Sequence, residues 1–236
     1  MNQLFIRDVV FDWADVEEDS YLKDIPSLYG LDKLEFHQPI TFFVGENGSG
    51  KSTLLESIAV ACGFNGEGGT KNYQFSTYEE EYELSRLIRL GKGAKRQRWG
   101  YFLRAENLYN FATQEEAYGG TGGYHYLSHG ESLLSILQDN LEPDSLYLLD
   151  EPESALSAQR QLTFIIEVMR SVKAGAQFLI CSHSPILLAI PGAEILTFDD
   201  GLVHPCEYED TQAYRVTKMF LNQREGILRK LLDTEL

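Results

Sequence analysis

Gly45-Glu46-Asn47-Gly48-Ser49-Gly50-Lys51-Ser52 is the stretch that decides the fold. It satisfies the pattern G-x-x-x-x-G-K-[ST] at every position. Its glycines let the backbone wrap so that several N–H groups point inward, which makes a cradle for phosphate oxygens. Residues 41–44 before it, Thr-Phe-Phe-Val, read as a buried apolar strand. Residues 52–62 after it have helical periodicity, with Leu54, Leu55, Ile58 and Ala59 on one side and Gly63 as the stop. The helix brings its positive N-terminal end to the mouth of the loop. Lys51 is then placed to reach the β- and γ-phosphates of a nucleotide, and Ser52 to offer its hydroxyl to Mg²⁺. Asn47, Gly48, Ser49, Gly50 and Thr53 complete the candidate phosphate-binding set.

About a hundred residues on, Leu146-Tyr147-Leu148-Leu149-Asp150-Glu151 is an apolar strand that ends in two carboxylates. Asp150, at the strand end, is placed to hold Mg²⁺ through water. Glu151, one residue further, is placed to polarise an attacking water. Phe178-Leu179-Ile180-Cys181-Ser182-His183 repeats the design: a buried strand delivers His183 at its C-terminal end, where ligands sit in open α/β sheets. His183 is a candidate hydrogen-bond partner of the γ-phosphate and the attacking water.

With Leu127-Ser128-His129-Gly130-Glu131-Ser132 added, the chain resembles the ABC ATPase superfamily. The matching segments are the Walker A motif GENGSGKST, the signature LSHGES, the Walker B motif LYLLDEP, the D-loop SALS and the switch residue His183. The runs GFNGEGG, FLRAE, DEPESALSAQRQL and SHSPILLAIPGA look like small stand-alone bacterial ATPases, relatives of the SMC and DNA-repair ABC ATPases. The resemblance implies an α/β P-loop NTPase fold of ABC type. That fold has a mainly parallel sheet flanked by helices, an N-terminal antiparallel β portion and a small helical subdomain. It implies one domain over residues 1–236, with the helical signature subdomain at about 76–142. Ser128, Gly130 and Glu131 would meet the γ-phosphate of a partner subunit's ATP, so an ATP-dependent homodimer follows. His129 stands where the family has glycine, and Ser157 where its D-loop has Asp. Glu106 or Asn107 would take the place of the Q-loop glutamine, with Glu106 as the candidate contact to Mg²⁺.

Composition limits the partners. The formal net charge of −16 does not support nucleic acid, because a polyanion is held by clustered Lys and Arg. The base gathers at Arg86, Arg89, Lys92, Lys95, Arg96, Arg98 and Arg104, which keeps a nucleic-acid contact open. The favoured reading of that run is a solvated helix face balancing the acidic residues 79–83. Three cysteines, Cys62, Cys181 and Cys206, lack metal-ligand spacing and are expected reduced in a cytoplasmic protein. MNQLFIRDVVFDW lacks the apolar core of a signal peptide, and no apolar run approaches the ~18 residues of a membrane span.

The coarse pattern predicts a strand at 3–11, a hairpin over 34–45 and an amphipathic helix over 79–90. It predicts strands at 99–104 and 195–198, a long helix at 155–172 and two short helices at 211–221 and 223–233. The leading function is Mg-dependent ATP hydrolysis driving a dimeric clamp, with a protein effector in a DNA-related, repair or defence setting. The alternatives are a non-catalytic ATP sensor and a transporter ATPase subunit. A small-molecule phosphotransferase is a further one, and it would have no use for LSHGES.

Overall fold

The computed structural model describes residues 4–66, 68–69, 82–104 and 142–233. The chain begins with β1 (Ile6–Phe11), β2 (Lys33–Glu35), β3 (Ile40–Val44) and α1 (Lys51–Ala61). It continues through a short α2 (Glu83–Leu87), β4 (Ile88–Lys92), β5 (Trp99–Arg104) and β6 (Ser145–Asp150). Last come α3 (Ala158–Lys173), β7 (Gln177–Cys181), β8 (Glu194–Thr197), β9 (His204–Pro205) and α4 (Gln212–Asp233).

Two sheets form among the described residues. One is antiparallel in the order β2-β1-β4, and the other runs β5-β6-β7-β3-β8-β9. The larger sheet is parallel except for the β8–β9 edge. Its central strands are buried along their whole length, as a sheet covered on both faces requires. Alternate residues feed two cores. Phe43, Leu146, Leu148, Leu179 and Cys181 face α1 and the antiparallel sheet. Phe42, Tyr147, Leu149, Phe178 and Ile180 face α3, through its buried Phe164 and Val168. An α/β fold with a mainly parallel sheet and an N-terminal antiparallel portion is therefore present.

Two local expectations are corrected. Residues 34–45 are no hairpin. Leu34 pairs with Val9 in one sheet, whereas β3 lies between β7 and β8 in the other. Burial explains the split: β2 alternates exposed and buried, while β3 is buried throughout and belongs at the centre of a parallel sheet. Residues 82–92 are helical only over Glu83–Leu87, because Ile88–Lys92 pairs with β1 as an edge strand. The two C-terminal helices expected at 211–221 and 223–233 are both present within Gln212–Asp233, separated by a kink at Gln223, whose φ of −133° is non-helical. The helical subdomain expected at about 76–142 lies largely outside the described residues.

The topology sets the site. β7 separates β3 from β6, and Cys181 is in register with both Phe43 and Asp150. The C-terminal ends of these three strands therefore open at one level. They carry the glycine loop, Asp150-Glu151 and His183.

Candidate active site

Gly50 ends the loop and starts α1 in a left-handed conformation, φ +96°. A Cβ there would lie 2.7 Å from Ile25 Cγ2 and 2.9 Å from Leu28 Cδ1. Glycine is needed for both reasons: its dihedral and the close approach of the segment before β2. α1 has no side-chain cap and no acid in its first turn, so its leading N–H groups and positive end are left for an anion. Ser49 Oγ is a buried oxygen without a protein partner. Ser27, which the sequence reading missed, pins the loop by donating from Oγ to Ser49 O at 2.5 Å. Asp199, also missed, accepts from the Glu46 N–H at 3.0 Å. Nothing in the local sequence marks either residue, because both reach the loop from distant segments.

Lys51 Nζ donates to Gly45 O at 2.7 Å and to Glu46 O at 2.8 Å, folded back over its own loop. Burial pulls its pKa down, and the nearby Glu151, Asp150 and Asp199 carboxyl groups oppose that shift. Ser52 Oγ donates to Asp150 Oδ1 at 3.1 Å, bringing together residues 98 apart in sequence. Burial raises the Asp150 carboxyl, against the hydrogen bonds from Ser52 and Cys181 and the nearby Arg104. Among the described residues no group of three or more His, Cys, Asp or Glu could hold a metal. Two oxygens from Ser52 and Asp150 still fit Mg²⁺, which takes most of its shell from phosphates and water. The loop, the helix end and this oxygen pair therefore suit a Mg-nucleotide.

Glu151 stands in the left-handed region at φ +47°, a conformation that costs a non-glycine residue roughly 1–2 kcal/mol. Its N–H donates to Cys181 O at 3.0 Å, which ties it to the end of β7. Strained backbone of this kind is typical of functional positions. Glu151 Oε1 lies 3.7 Å from His183 Nε2, and both side chains are part-exposed. The two residues converge at the strand ends beside the Ser52–Asp150 pair. The next loop residue with a direct contact is Glu153. Its Oε1 accepts from Ser182 Oγ at 2.9 Å and from the His183 N–H at 2.5 Å. Burial raises the Glu153 carboxyl, and those hydrogen bonds oppose the rise.

Other expectations fare differently. Ser128, Gly130, Glu131 and Glu106 lie outside the described residues. Ser157 caps α3, its side chain accepting from the Arg160 N–H at 3.3 Å. Of the three aromatics considered for stacking on a base, Phe36 is 4% exposed and belongs to the core. Tyr21 and Tyr29 are exposed, and Tyr29 meets Trp13 edge-on at 5.4 Å. A cavity of about 860 Å³ opens on the β8 side of the loop, lined by Ser27, Glu46, Asn47, Asp199 and Arg215 among others. Lys51, Asp150, Glu151 and His183 are not in its lining, so it flanks the candidate chemistry. The basic run is not one helix face; it passes from α2 through β4 to β5. Arg89 pairs with Asp12, Lys95 and Arg98 with Asp144, and Arg104 with Glu56 of α1 at 3.0 Å. Among the described residues no helix is long and apolar enough to cross a membrane.

A family model described as an AAA domain matches residues 21–165. No curated protein is matched. Among solved structures, the chain is similar to an SMC head bound to the C-winged helix domain of ScpA. The identity is 13% and the TM-score 0.51, covering 86% of this chain and 97% of that one. It is also similar to the SMC head domain from Thermotoga maritima, at 15% identity and a TM-score of 0.48, covering 86% and 100%. An ATP-binding cassette of an ABC transporter follows at 15% identity and 0.45, covering 88% and 94%. At 13% identity the likeness to the ScpA-bound SMC head speaks to fold alone, and the family rests on the residues matched by the AAA-domain model. The chain belongs to the AAA-domain family, with a fold like that of an SMC head.

Proposed function

We propose that this chain binds Mg-ATP and hydrolyses it, as a single ABC-type domain that closes into a dimer around two nucleotides. The observation that carries the reading is the 3.1 Å contact of Ser52 Oγ with Asp150 Oδ1, formed beside Lys51 and the Glu151–His183 pair. The loop N–H groups of residues 47–53 and Lys51 hold the phosphates. Ser52 and Asp150 hold Mg²⁺, with Glu106 as a further candidate ligand. When bound, Mg²⁺ supplies positive charge against the phosphate oxygens. Lys51 leaves its two loop carbonyls as the phosphates arrive. Glu151 takes a proton from water as that oxygen bonds to the γ-phosphorus, while the bond to the β-phosphate oxygen breaks and ADP leaves. His183 holds the water and the γ-phosphate in line.

Ser128, Gly130 and Glu131 complete the partner subunit's site, so ATP joins two copies and hydrolysis releases them. A clamp of this kind acts on a further protein in a cytoplasmic setting. The pairing of Arg89, Lys95, Arg98 and Arg104 with acids weighs against a bare nucleic-acid patch.

The test is Glu151→Gln. It should keep ATP binding, lower phosphate release roughly 10²- to 10⁴-fold and accumulate an ATP-bound dimer seen by light scattering. Hydrolysis at the wild-type rate would remove Glu151 from the chemistry. A wild-type protein that binds ATP and dimerises without turnover would instead be a nucleotide sensor.

A further inference from the structure

Glu153 has an arrangement that the ATPase chemistry alone does not call for. It sits two residues beyond the water-polarising candidate Glu151, in the 3-10 turn Pro152–Ala155. Its carboxylate does not turn to solvent. Oε1 reaches across to the loop after β7, where it accepts from Ser182 Oγ at 2.9 Å and from the His183 backbone N–H at 2.5 Å. Its other oxygen, Oε2, is buried without a protein partner. Burying a carboxylate with one oxygen unpartnered costs stability. That cost is offset only if the hydrogen bonds it makes are wanted where they are.

The same two loops are tied a second time. Ser184 Oγ donates to Gln161 Oε1 at 2.5 Å, and Gln161 Nε2 donates to Leu156 O at 3.2 Å. Ser182 Oγ in turn accepts from the Ser184 N–H at 3.1 Å. The segment that carries Glu151 and the segment that carries His183 are thus joined by a chain of polar contacts through Glu153, Ser182, Ser184 and Gln161.

We infer that Glu153 is a positioning residue: it clamps the His183 loop to the Glu151 loop and so sets the 3.7 Å approach of His183 Nε2 to Glu151 Oε1. The inference rests on the ATPase reading for its effect on turnover, but the clamp itself is a property of the nucleotide-free chain. Neither Ser182 Oγ nor the His183 N–H can be held this way by a side chain lacking an acceptor. A glutamine at 153 keeps one carbonyl oxygen for both donors, whereas an alanine keeps none. A clamp acts on the reaction geometry, so its loss should appear in kcat rather than in ATP affinity.

The experiment compares Glu153→Ala, Glu153→Gln, His183→Ala and the double variant Glu153→Ala/His183→Ala in the full chain. Turnover with Mg-ATP, equilibrium ATP binding and amide hydrogen exchange at His183 are read for each. Glu153→Ala should lower kcat by about tenfold or more with ATP affinity within about twofold, and Glu153→Gln should recover most of the loss. The double variant should be no slower than His183→Ala, because a residue that acts through another adds nothing once that other is gone. The His183 amide should be protected in the wild type and Glu153→Gln, and should exchange at least about tenfold faster in Glu153→Ala. Wild-type kcat in Glu153→Ala, additive losses in the double variant, or unchanged His183 protection would each overturn the clamp. Absence of turnover in the wild type would count against the ATPase reading alone, since the exchange measurement still decides the clamp. If Glu153→Ala does not fold, Ser182→Ala, which removes one of the two donors, is read in the same assays with the same expected direction.

Discussion

Gln177 opens β7 and is 1% exposed, yet its side chain serves the other sheet. Oε1 accepts from the Phe5 N–H at 2.8 Å and the Ile6 N–H at 3.0 Å, and Nε2 donates to Ile6 O at 2.8 Å. Replacing it by leucine removes three bonds and leaves two buried N–H groups and one carbonyl without that partner. Each such group costs about 1–3 kcal/mol, or roughly 3–9 kcal/mol together. The added apolar burial of leucine returns about 1–2 kcal/mol. A net loss of about 1–8 kcal/mol corresponds, at about 2–4 °C per kcal/mol for a domain of this size, to a Tm lower by roughly 2–30 °C. Thermal unfolding followed by circular dichroism measures this, and exchange of the Phe5 and Ile6 amides should rise in parallel. Gln177→Glu gives a second arm. Its carboxylate accepts both N–H groups but sets an oxygen against Ile6 O, so burial and that contact raise its pKa in the fold. A raised folded pKa gives stability at low pH that is lost as pH rises through it. The variant should therefore lose ground against the wild type between acid and neutral pH. A Tm within about 2 °C of wild type for Gln177→Leu would refute the idea that this side chain fastens the antiparallel sheet to the core.

Gly50→Ala should lower Tm by several degrees and weaken ATP binding, since the left-handed backbone alone costs roughly 1–2 kcal/mol and the new Cβ meets Ile25 and Leu28; calorimetric unfolding and nucleotide titration read both. Burial holds the Glu153 carboxyl above its ordinary value of 4.5, so its stabilising contribution is present below that pH and lost as pH rises through the raised value. The groups facing it are the Glu151 carboxylate, Ser182 Oγ and the His183 N–H. The Tm of the wild type relative to Glu153→Gln should accordingly fall between pH 4 and 8. Ser128→Arg should bind ATP but neither dimerise nor hydrolyse, and mixing it with Lys51→Ala should restore at most one composite site per dimer. Normal turnover by Ser128→Arg alone would refute the two-subunit site.

The candidate site was legible in the sequence where its chemistry is written in adjacent residues. The glycine loop, the strand ending in Asp150-Glu151 and the strand ending before His183 are contiguous signals. Each is a short apolar run followed by a fixed set of functional groups. Glu83-Leu84-Ser85-Arg86-Leu87-Ile88-Arg89-Leu90 was less legible, because its apolar residues satisfy both a helical and an alternating spacing. Pairing with β1 decides between them at Ile88, where a neighbouring strand outweighs local propensity. Residues 34–45 failed as a hairpin for a related reason: two adjacent strands look paired in sequence, yet the burial each one requires sends them to different sheets.

What the sequence by itself determined is the class of fold and the identity of the phosphate-binding and water-polarising candidates, because motif chemistry and hydrophobic period are local properties. The convergence of those candidates came only with the tertiary structure, since Ser52 and Asp150 are 98 residues apart and meet through the register of β3, β7 and β6. The roles of Gln177 and Glu153 came the same way. A buried amide or carboxylate is specified by the distant backbone groups it must satisfy, and no spacing along the chain records which groups those will be.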